Sequence, residues 1–343
     1  MAITKLSDVV NAASMQAFTA FVKKAYLDSS AFVKSGIAAS DPIIAARCAA
    51  AGFGGKTVNL PFWGDLDGDD EVIADASSSG EDTSLAIAKL SAGQDVAVIT
   101  RRAKAFGITD LAVDLAGDDP MAWIASRIGA YWARRDEAKI LKILAGVFGK
   151  NVAADISNSK PAINYAGNDL TLDLSSETLG KTTLLTAAQL LGDRKAALTG
   201  LAMNSAAETA LSAIDAQSTL YRPSDAKGTL PTYNGRAIVM DDNLAYDAST
   251  KVAEIYLFGN GAIALDEVPS KVPFETGRDP LKNGGQDFVV SRHAGIAHVR
   301  GIAWQGSAAG SSPTNDELAK PANWKKVYET KDIRVVKLLI KLA

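Results

Sequence analysis

Apolar residues recur at three- and four-residue spacings between residues 6 and 34, at Val9, Val10, Ala13, Ala17, Phe18, Phe21, Val22 and Ala25, and predict helix there. A second helix is predicted over 41–51, with Pro42 in its first turn and Gly52 beyond its end. From residue 56 onward the period shortens to two. Residues 57–63, 85–90 and 95–100 read as strands. Between the first two lies 64–82, which carries Asp65, Asp67, Asp69, Asp70, Glu71, Asp75, Glu81 and Asp82 and no basic residue. The pattern is a long excursion of strand, acidic tip and strand.

The strongest helical signal follows. Asp119 can cap, Pro120 fits the first helical position, and Gly149 stops the helix after Phe148. Such a helix is about 43 Å long at 1.5 Å per residue. Ile124, Ile128, Tyr131, Ala138, Leu141, Ala145 and Phe148 predict its buried stripe, with Arg127, Arg134, Lys139 and Lys142 on other faces. Arg135 falls on the stripe and suggests a partner carboxylate. Beyond it the chain alternates: strand at 170–174, helix over 179–191, strand at 197–203, then a helix to Ile214 opened by a capping box of Ser205 with Glu208. Strands are predicted at 236–240, 252–258 and 262–265. A strand pair is predicted over 286–304, turning near Ala294–Gly295. Residues 306–313 read as a small-residue linker, and 333–340 as a strand or helix closing a basic, apolar tail. There is no internal repeat.

Composition narrows the function classes. The chain has 343 residues, 36 Lys+Arg against 39 Asp+Glu, and 47% hydrophobic residues, values of an ordinary folded protein of two or three domains. Its pI of 5.6 argues against a general nucleic-acid binder. A lone Cys48 can form neither an internal disulfide nor a zinc site, and reads as a small buried residue. No apolar stretch reaches the roughly 18 residues of a membrane span. The first residues lack the pattern of a signal peptide, so synthesis in the cytosol is expected.

Four features tempt toward chemistry. Gly55-Lys56-Thr57 and Gly180-Lys181-Thr182 are near misses to a phosphate-binding loop, but Ala50 and Ser175 stand where its first Gly belongs. The second copy, between a strand and a helix, keeps a P-loop-like NTPase as an alternative of a different class; an ordinary helix start is the simpler reading. Asp65-x-Asp67-x-Asp69 matches the opening of a calcium loop, yet Asp70 replaces the required Gly and Ala76 the closing Glu, which favours a solvated acidic tip. His293 and His298 have odd spacing, so within one strand they face opposite sides, with no Cys and no obvious carboxylate cluster beside them. Arg101, Arg102 and Lys104, and Lys320, Lys325, Lys326, Lys331, Arg334, Lys337 and Lys341 near the end, are basic counterparts to the acidic segment. They are either solvated faces or contacts between copies. No catalytic residue, cofactor site or metal site is assigned, and no enzyme activity is expected.

The order of parts resembles the major capsid proteins of tailed bacteriophages, the Hong Kong 97-like fold. The residues that carry the resemblance are DPMAWIASRIGAYWARRDEAKILKILAGVF at 119–148, ITRRAKAFGITDLAVDL at 99–115, AMNSAAETALSAI at 202–214, YNGRAIVM at 233–240 and the segment 313–342 with Asn323-Trp324. The resemblance implies an α+β fold with an N-terminal arm at 1–55, an extended β-hairpin loop at 56–105, a peripheral domain at 106–164 and 271–343 built on a long spine helix, and an axial domain at 165–270. It implies a structural protein that self-assembles as hexamers and pentamers into an icosahedral shell enclosing double-stranded DNA, without sequence-specific binding and without a membrane. Assembly in the host bacterial cytoplasm and location in the virion follow from it. Separate scaffolding, portal and decoration proteins are the further partners. An encapsulin-type nanocompartment shell shares the fold and is the related alternative. The spine helix begins too early for the N-terminal scaffolding segment of some members. Some members cross-link through a Lys of the extended loop, but residues 57–88 contain none. Non-covalent closure is therefore expected. Asp65, Asp67, Asp69, Asp70 and Glu71 on one side, and Arg101, Arg102, Arg134 and Arg135 on the other, are the candidate inter-subunit contacts.

Overall fold

A computed structural model describes residues 20, 22–50, 55–66, 69, 87, 89–116, 121–158, 160–214, 220–221, 230–282, 284–308 and 310–342. Its strands in chain order are β1 (Ala38–Ala39), β2 (Thr57–Trp63), β3 (Ala92–Thr109), β4 (Thr171–Thr178), β5 (Leu198–Met203), β6 (Leu220–Tyr221), β7 (Thr232–Tyr233), β8 (Arg236–Met240), β9 (Tyr246–Asp247), β10 (Val252–Gly259), β11 (Ile263–Glu267), β12 (Phe274–Asp279), β13 (Gln286–Val299), β14 (Ile302–Trp304), β15 (Trp324–Lys326) and β16 (Val335–Lys341). The helices are α1 (Ala31–Lys34), α2 (Pro42–Ala50), α3 (Asp110–Ala116), α4 (Met121–Val147), α5 (Thr183–Ala188), α6 (Ser205–Ile214) and α7 (Asn315–Leu318), with residues 22–27 also helical.

The first sheet runs β1-β11-β13-β3-β2, with β12 also on β13. Strand β3 spans 18 residues and serves two partners. Its later part pairs with β13 from Ile99↔Ile296 to Thr109↔Gln286. Its first part pairs with β2 from Thr57↔Val98 to Trp63↔Ala92, forming the root of the extended hairpin. The second sheet runs β4-β16-β10-β5-β8-β7-β6, with β9 on β10. Here β16 pairs in parallel with β4 and antiparallel with β10. The segment 271–343 thus contributes to both sheets, and β11, from 165–270, lies in the first.

The main core joins α1, the later half of α4 and the second sheet, through Phe32, Ile140, Leu144, Phe148, Leu201, Tyr256, Phe258 and Leu338. Burial of such side chains stabilises by about 1.5–3 kcal/mol each. A smaller cluster, Ile44, Cys48, Val58, Ala97, Ile99, Ala264 and Ile296, packs α2 on one face of the first sheet. A third, Val22, Ile128, Trp132, Phe274 and Val289, packs α4 on the other. The long helix is thereby gripped along its length by both sheets, which makes it the spine of the subunit.

Several elements fall where the pattern places them. Strand β2 covers 57–63, α2 lies within 41–51, and α4 lies within 119–148. Asp41 caps α2, its Oδ1 accepting from Ile43 N at 2.9 Å. Elsewhere the structure corrects the pattern. Helix 6–34 is interrupted: residues 22–27 are helical, 28–29 turn, and α1 begins anew. Ser30 Oγ and Ala31 N both donate to Glu137 Oε1, so the backbone is satisfied by the spine rather than by its own preceding turn. The remainder, 1–19 and 21, lies outside the described residues. So does most of the strand expected at 85–90, of which Ile87, Lys89 and Leu90 are not in a strand. Helix 179–191 shrinks to α5 followed by a 3₁₀ stretch, within which Gly192 departs from helical backbone at φ 58°.

The capping box at Ser205 is not formed. Asn204 caps α6, its Oδ1 accepting from Ala207 N at 2.8 Å, and Ser205 N donates to Asp242 Oδ1. The pair turning at Ala294–Gly295 is one strand, β13; the turn comes at Arg300–Gly301, where Gly301 takes φ +87°. The spine stripe is rotated from its predicted face. Trp132, Ala133, Asp136, Lys139, Ile143 and Val147 are buried with Ile128, while Ala145 is exposed and Leu141 half-buried.

Gly146 marks the tightest contact of the spine. A Cβ there would lie 2.3 Å from Leu318 O and 2.9 Å from Trp324 Nε1. Gly146→Ala is expected to lower stability by about 1–3 kcal/mol, by overpacking, read from the urea midpoint of the unassembled subunit. An unchanged midpoint would show that α7 moves aside freely.

Candidate functional site

The alternating strand that ends in Trp63 leaves the body of the subunit and takes large apolar side chains with it. Trp63 is 73% exposed, Leu66 82% and Ile87 99%. Trp63 and Leu66, three residues apart and both exposed, mark a surface that is covered on binding. Asp65 and Asp69 are exposed beside them. Asp67, Asp70 and Glu71 lie outside the described residues.

The four candidate arginines separate into two pairs. Arg101 and Arg102 are engaged within the subunit. Arg101 N donates to Ser312 Oγ at 2.9 Å and its Nη2 to Gly55 O at 2.9 Å. Arg102 donates from Nη1 to Ser312 Oγ at 2.9 Å, and from Nη2 to Pro313 O at 2.5 Å and Asn315 Oδ1 at 3.3 Å. Together they lash 312–315 onto β3. Burial, with Arg135 nearby, lowers the Arg102 guanidinium below its ordinary value. Arg134 and Arg135 stand exposed on the spine helix. The Arg135 guanidinium lies 6.0 Å over the Tyr131 ring, and it is not the buried charge of the stripe.

That buried charge is Asp136, and it carries a network. Asp136 Oδ1 accepts from Lys139 Nζ at 2.6 Å. Its Oδ2 accepts from Tyr26 OH at 2.9 Å and bonds His293 Nε2 at 2.8 Å. A carboxylate has no proton to give, so Nε2 carries it. The His293 ring stacks on Trp132 with centroids 5.0 Å apart, and Trp132 Nε1 donates to Ser291 Oγ at 2.8 Å. Burial pushes the Asp136 carboxyl up, but the Lys139 ammonium and the His293 bond outweigh it and hold it well below the usual carboxylate range. Burial and the facing Asp136 push the Tyr26 phenol up.

A second buried pair sits at the hairpin root, on the opposite face of β13. His298 Nε2 bonds Asp95 Oδ2 at 2.9 Å, and Gly301 N donates to the same oxygen at 3.0 Å. Asp95 and His298 are each 1% exposed. The two histidines thus have opposite faces and one carboxylate partner each. Both partners escaped the sequence reading, although their positions signalled them. Asp95 shares its parity with Ala97 and Ile99, and Asp136 continues the four-residue row of Ile128 and Trp132.

The basic tail is partly internal. Lys337 is buried and donates to Glu254 Oε1 at 2.7 Å, Lys331 pairs with Asp193 at 2.9 Å, and Lys326 pairs with Asp169. The phosphate-loop near miss is a local turn: Gly180 N donates to Thr183 Oγ1 at 3.0 Å ahead of the six-residue α5. Among the described residues no three His, Cys, Asp or Glu side chains gather as a metal-binding group, and no helix is long and apolar enough to cross a membrane.

Comparison with known proteins gives a consistent result. A family described as phage capsid protein matches residues 93–305. The major capsid protein of Bacillus phage SPP1 is 38% identical over 341 residues, 98% of each chain. The capsid of Ralstonia phage GP4 has a TM-score of 0.56 at 13% identity, covering 93% of this chain and 91% of that one. The cyanophage Pam1 capsid asymmetric unit has a TM-score of 0.51 at 13% identity, covering 84% and 85%.

Proposed function

This chain belongs to the phage capsid protein family, with the Hong Kong 97-like fold and the role of a bacteriophage major capsid protein, and from that premise we propose how its parts assemble. Copies close into an icosahedral shell of hexamers and pentamers around double-stranded DNA. Residues 1–55 serve as the N-terminal arm and 56–105 as the extended loop. The spine helix and first sheet form the peripheral domain, 106–164 and 271–343. The second sheet forms the axial domain, 165–270, with β11 and β16 exchanged between the two. The enclosed DNA is held without sequence-specific contacts, and separate scaffolding, portal and decoration proteins complete the particle.

The observation that carries the assembly reading is the hairpin. A two-stranded projection is at best marginal in water alone, and this one exposes Trp63, Leu66 and Ile87. A neighbouring copy is the partner that would cover them. The acidic tip, Asp65, Asp67, Asp69, Asp70 and Glu71, then meets basic side chains of that neighbour. Arg134 and Arg135 are the better placed donors to this contact, because Arg102 is spent on 312–315 within its own subunit.

Size-exclusion chromatography with negative-stain imaging tests the reading: closed shells are expected, and a chain that stays monomeric at high concentration under capsid-forming conditions would overturn it. Hydrogen exchange at 56–66 and 89–98 is expected to slow on assembly. Reversing Asp69 and Asp70 together to Lys is expected to impair shell formation while leaving the monomer folded. Exposed pairs contribute only about 0–1 kcal/mol each, but the contact recurs at every copy. Normal particles from that double variant would remove the acidic tip from the assembly contacts.

A further inference from the structure

Strand β3 has a bare edge. On one side β13 pairs with it from Ile99 to Thr109. On the other, β2 covers it only as far as Val98, and 312–315 covers Arg101 and Arg102. From Ala103 to Gly107 that side meets no strand among the described residues. The direction of the backbone groups follows from the bonds around it. Ile99 N donates to Lys56 O and Arg101 N to Ser312 Oγ, both away from β13. Asp110 N donates to Gly285 O, on the β13 side. Across the ladder, Ala294 and Arg292 face Arg101 and Ala103; Ala294 O accepts from Val268 N and Arg292 N donates to Pro273 O, both away from β3. Antiparallel pairs alternate between bonded and unbonded, so the odd residues turn N–H and C=O outward. Ala103, Ala105 and Gly107 find no partner for these groups among the described residues.

Such an edge is a template for a further strand. Its side chains say which. Ala103, Ala105 and Gly107 are exposed and small enough for a second backbone to approach. The even residues face the spine helix: Ser291, opposite Lys104, accepts from Trp132, and Phe106 meets the Tyr131 ring edge to face at 5.3 Å. That face runs Lys104, Phe106, Ile108, an exposed cation without an ion pair among the described residues and then two half-buried apolar side chains. A Lys on an edge disfavours any incoming strand that brings no carboxylate. The return segment of the extended loop supplies one. Residues 85–90 carry a strand pattern, yet Ile87, Lys89 and Leu90 lie in no strand, and Ile87 is 99% exposed. At a period of two, Glu81, Leu85 and Ile87 share one face, a carboxylate and then two apolar residues in the same order along the chain.

We propose that, in the shell inferred above, the edge of β3 at 103–107 takes up residues 81–87 of a neighbouring copy as a parallel strand, with Glu81 against Lys104 and Leu85 and Ile87 over the Phe106–Ile108 face. Backbone bonds hold the strand, and the side chains fix its register. A slip by one residue would put Ser84 and Ala86 where Leu85 and Ile87 belong. The extended loop thereby gains a sheet that its own subunit does not offer it.

Residue-resolved hydrogen exchange on the full-length chain, unassembled and as shells, tests this. In the unassembled chain the amides of Ala103, Ala105 and Gly107 are expected to exchange fast and those of Lys104 and Phe106, turned toward β13, slowly. On assembly the first group is expected to slow by at least about tenfold. Ala105→Pro removes an outward N–H and leaves the β13 ladder whole, as an edge strand tolerates. It is expected to keep the urea midpoint of the unassembled subunit and to lower the yield of shells. The register places Asp82 beside Ala105, so shells of the double variant Asp82→Cys, Ala105→Cys are expected to give multimers on oxidised, non-reducing gels that neither single variant gives. Well-formed shells whose 103–107 amides still exchange fast would overturn the edge pairing while leaving the assembly reading intact, and this measurement decides even where Ala105→Pro impairs folding. A normal yield of shells from a folded Ala105→Pro variant would overturn it equally, and absence of multimers from the double variant would overturn the occupant. A chain that forms no shells at all overturns the assembly reading and this inference with it.

Discussion

Asp95→Ala is expected to destabilise the unassembled subunit by about 3–5 kcal/mol, the cost of leaving two buried donors without their acceptor at about 1–3 kcal/mol each. The loss is concentrated at one oxygen. Asp95 Oδ2 takes the His298 ring at 2.9 Å and the Gly301 N–H at 3.0 Å, and both would be left in a dry environment. The position also matters. Asp95 lies on β3 opposite Leu60 of β2, where the hairpin leaves the body. Gly301 closes the turn from β13 into β14 against Tyr328, whose Cβ would lie 2.8 Å from an added methyl. One carboxylate therefore ties the hairpin root to the turn behind it. Urea unfolding measures the stability, and hydrogen exchange at 92–98 measures the root. Asp95→Asn keeps an acceptor of the same shape and is expected to recover part of the loss. A change below about 1 kcal/mol in the Ala variant would mean that His298 finds water instead.

The same two aspartates show what could be read before the fold and what could not. Periods of two and of three to four gave β2, α2 and α4 close to their observed bounds, because their faces are buried over enough residues for the pattern to persist. The spine stripe came out rotated. A helix gripped by two sheets buries more than one face, so the apolar row at Leu141 and Ala145 is no better a guide than Trp132 and Ile143. Lys139 was placed outside for its charge alone. Its partner lies within reach only because the chain buries Asp136 one turn away. The turn expected at Ala294–Gly295 failed because small residues there serve packing under α2 rather than a reversal. Gly301, with its positive φ, made the reversal instead. The family likeness lay in the order of elements, which is a property of the whole chain. The contacts that pin those elements, Asp95 with His298 and Asp136 with His293, span more than a hundred residues each and leave no local signature.

Asp136→Ala is expected to cost about 3–5 kcal/mol as well, and its pH dependence separates it from a simple loss of packing. The variant leaves the Lys139 ammonium buried with its partner gone, beside a His293 ring and a Tyr26 hydroxyl that lose theirs. Pairing Asp136→Leu with Lys139→Met removes both charges and is expected to be far milder than either charge removed alone, giving a large coupling in a double-mutant cycle. The sign of the pH effect follows from the carboxyl. Folding lowers it from an ordinary value of 3.8, through Lys139 and His293 acting against burial. A group lowered in the folded state contributes stability that is fully present above its unfolded value and lost as pH falls through its folded value. The unmodified subunit is therefore expected to lose stability as pH falls below about 4. Asp136→Ala lacks that contribution at every pH, so the gap between the two proteins should be widest near neutrality and close in acid. Urea midpoints measured from pH 7 down to the lowest pH at which the unmodified subunit stays folded would show it. A gap that stays constant over that range would mean that the carboxylate charge contributes nothing, and that Asp136 is held by shape alone.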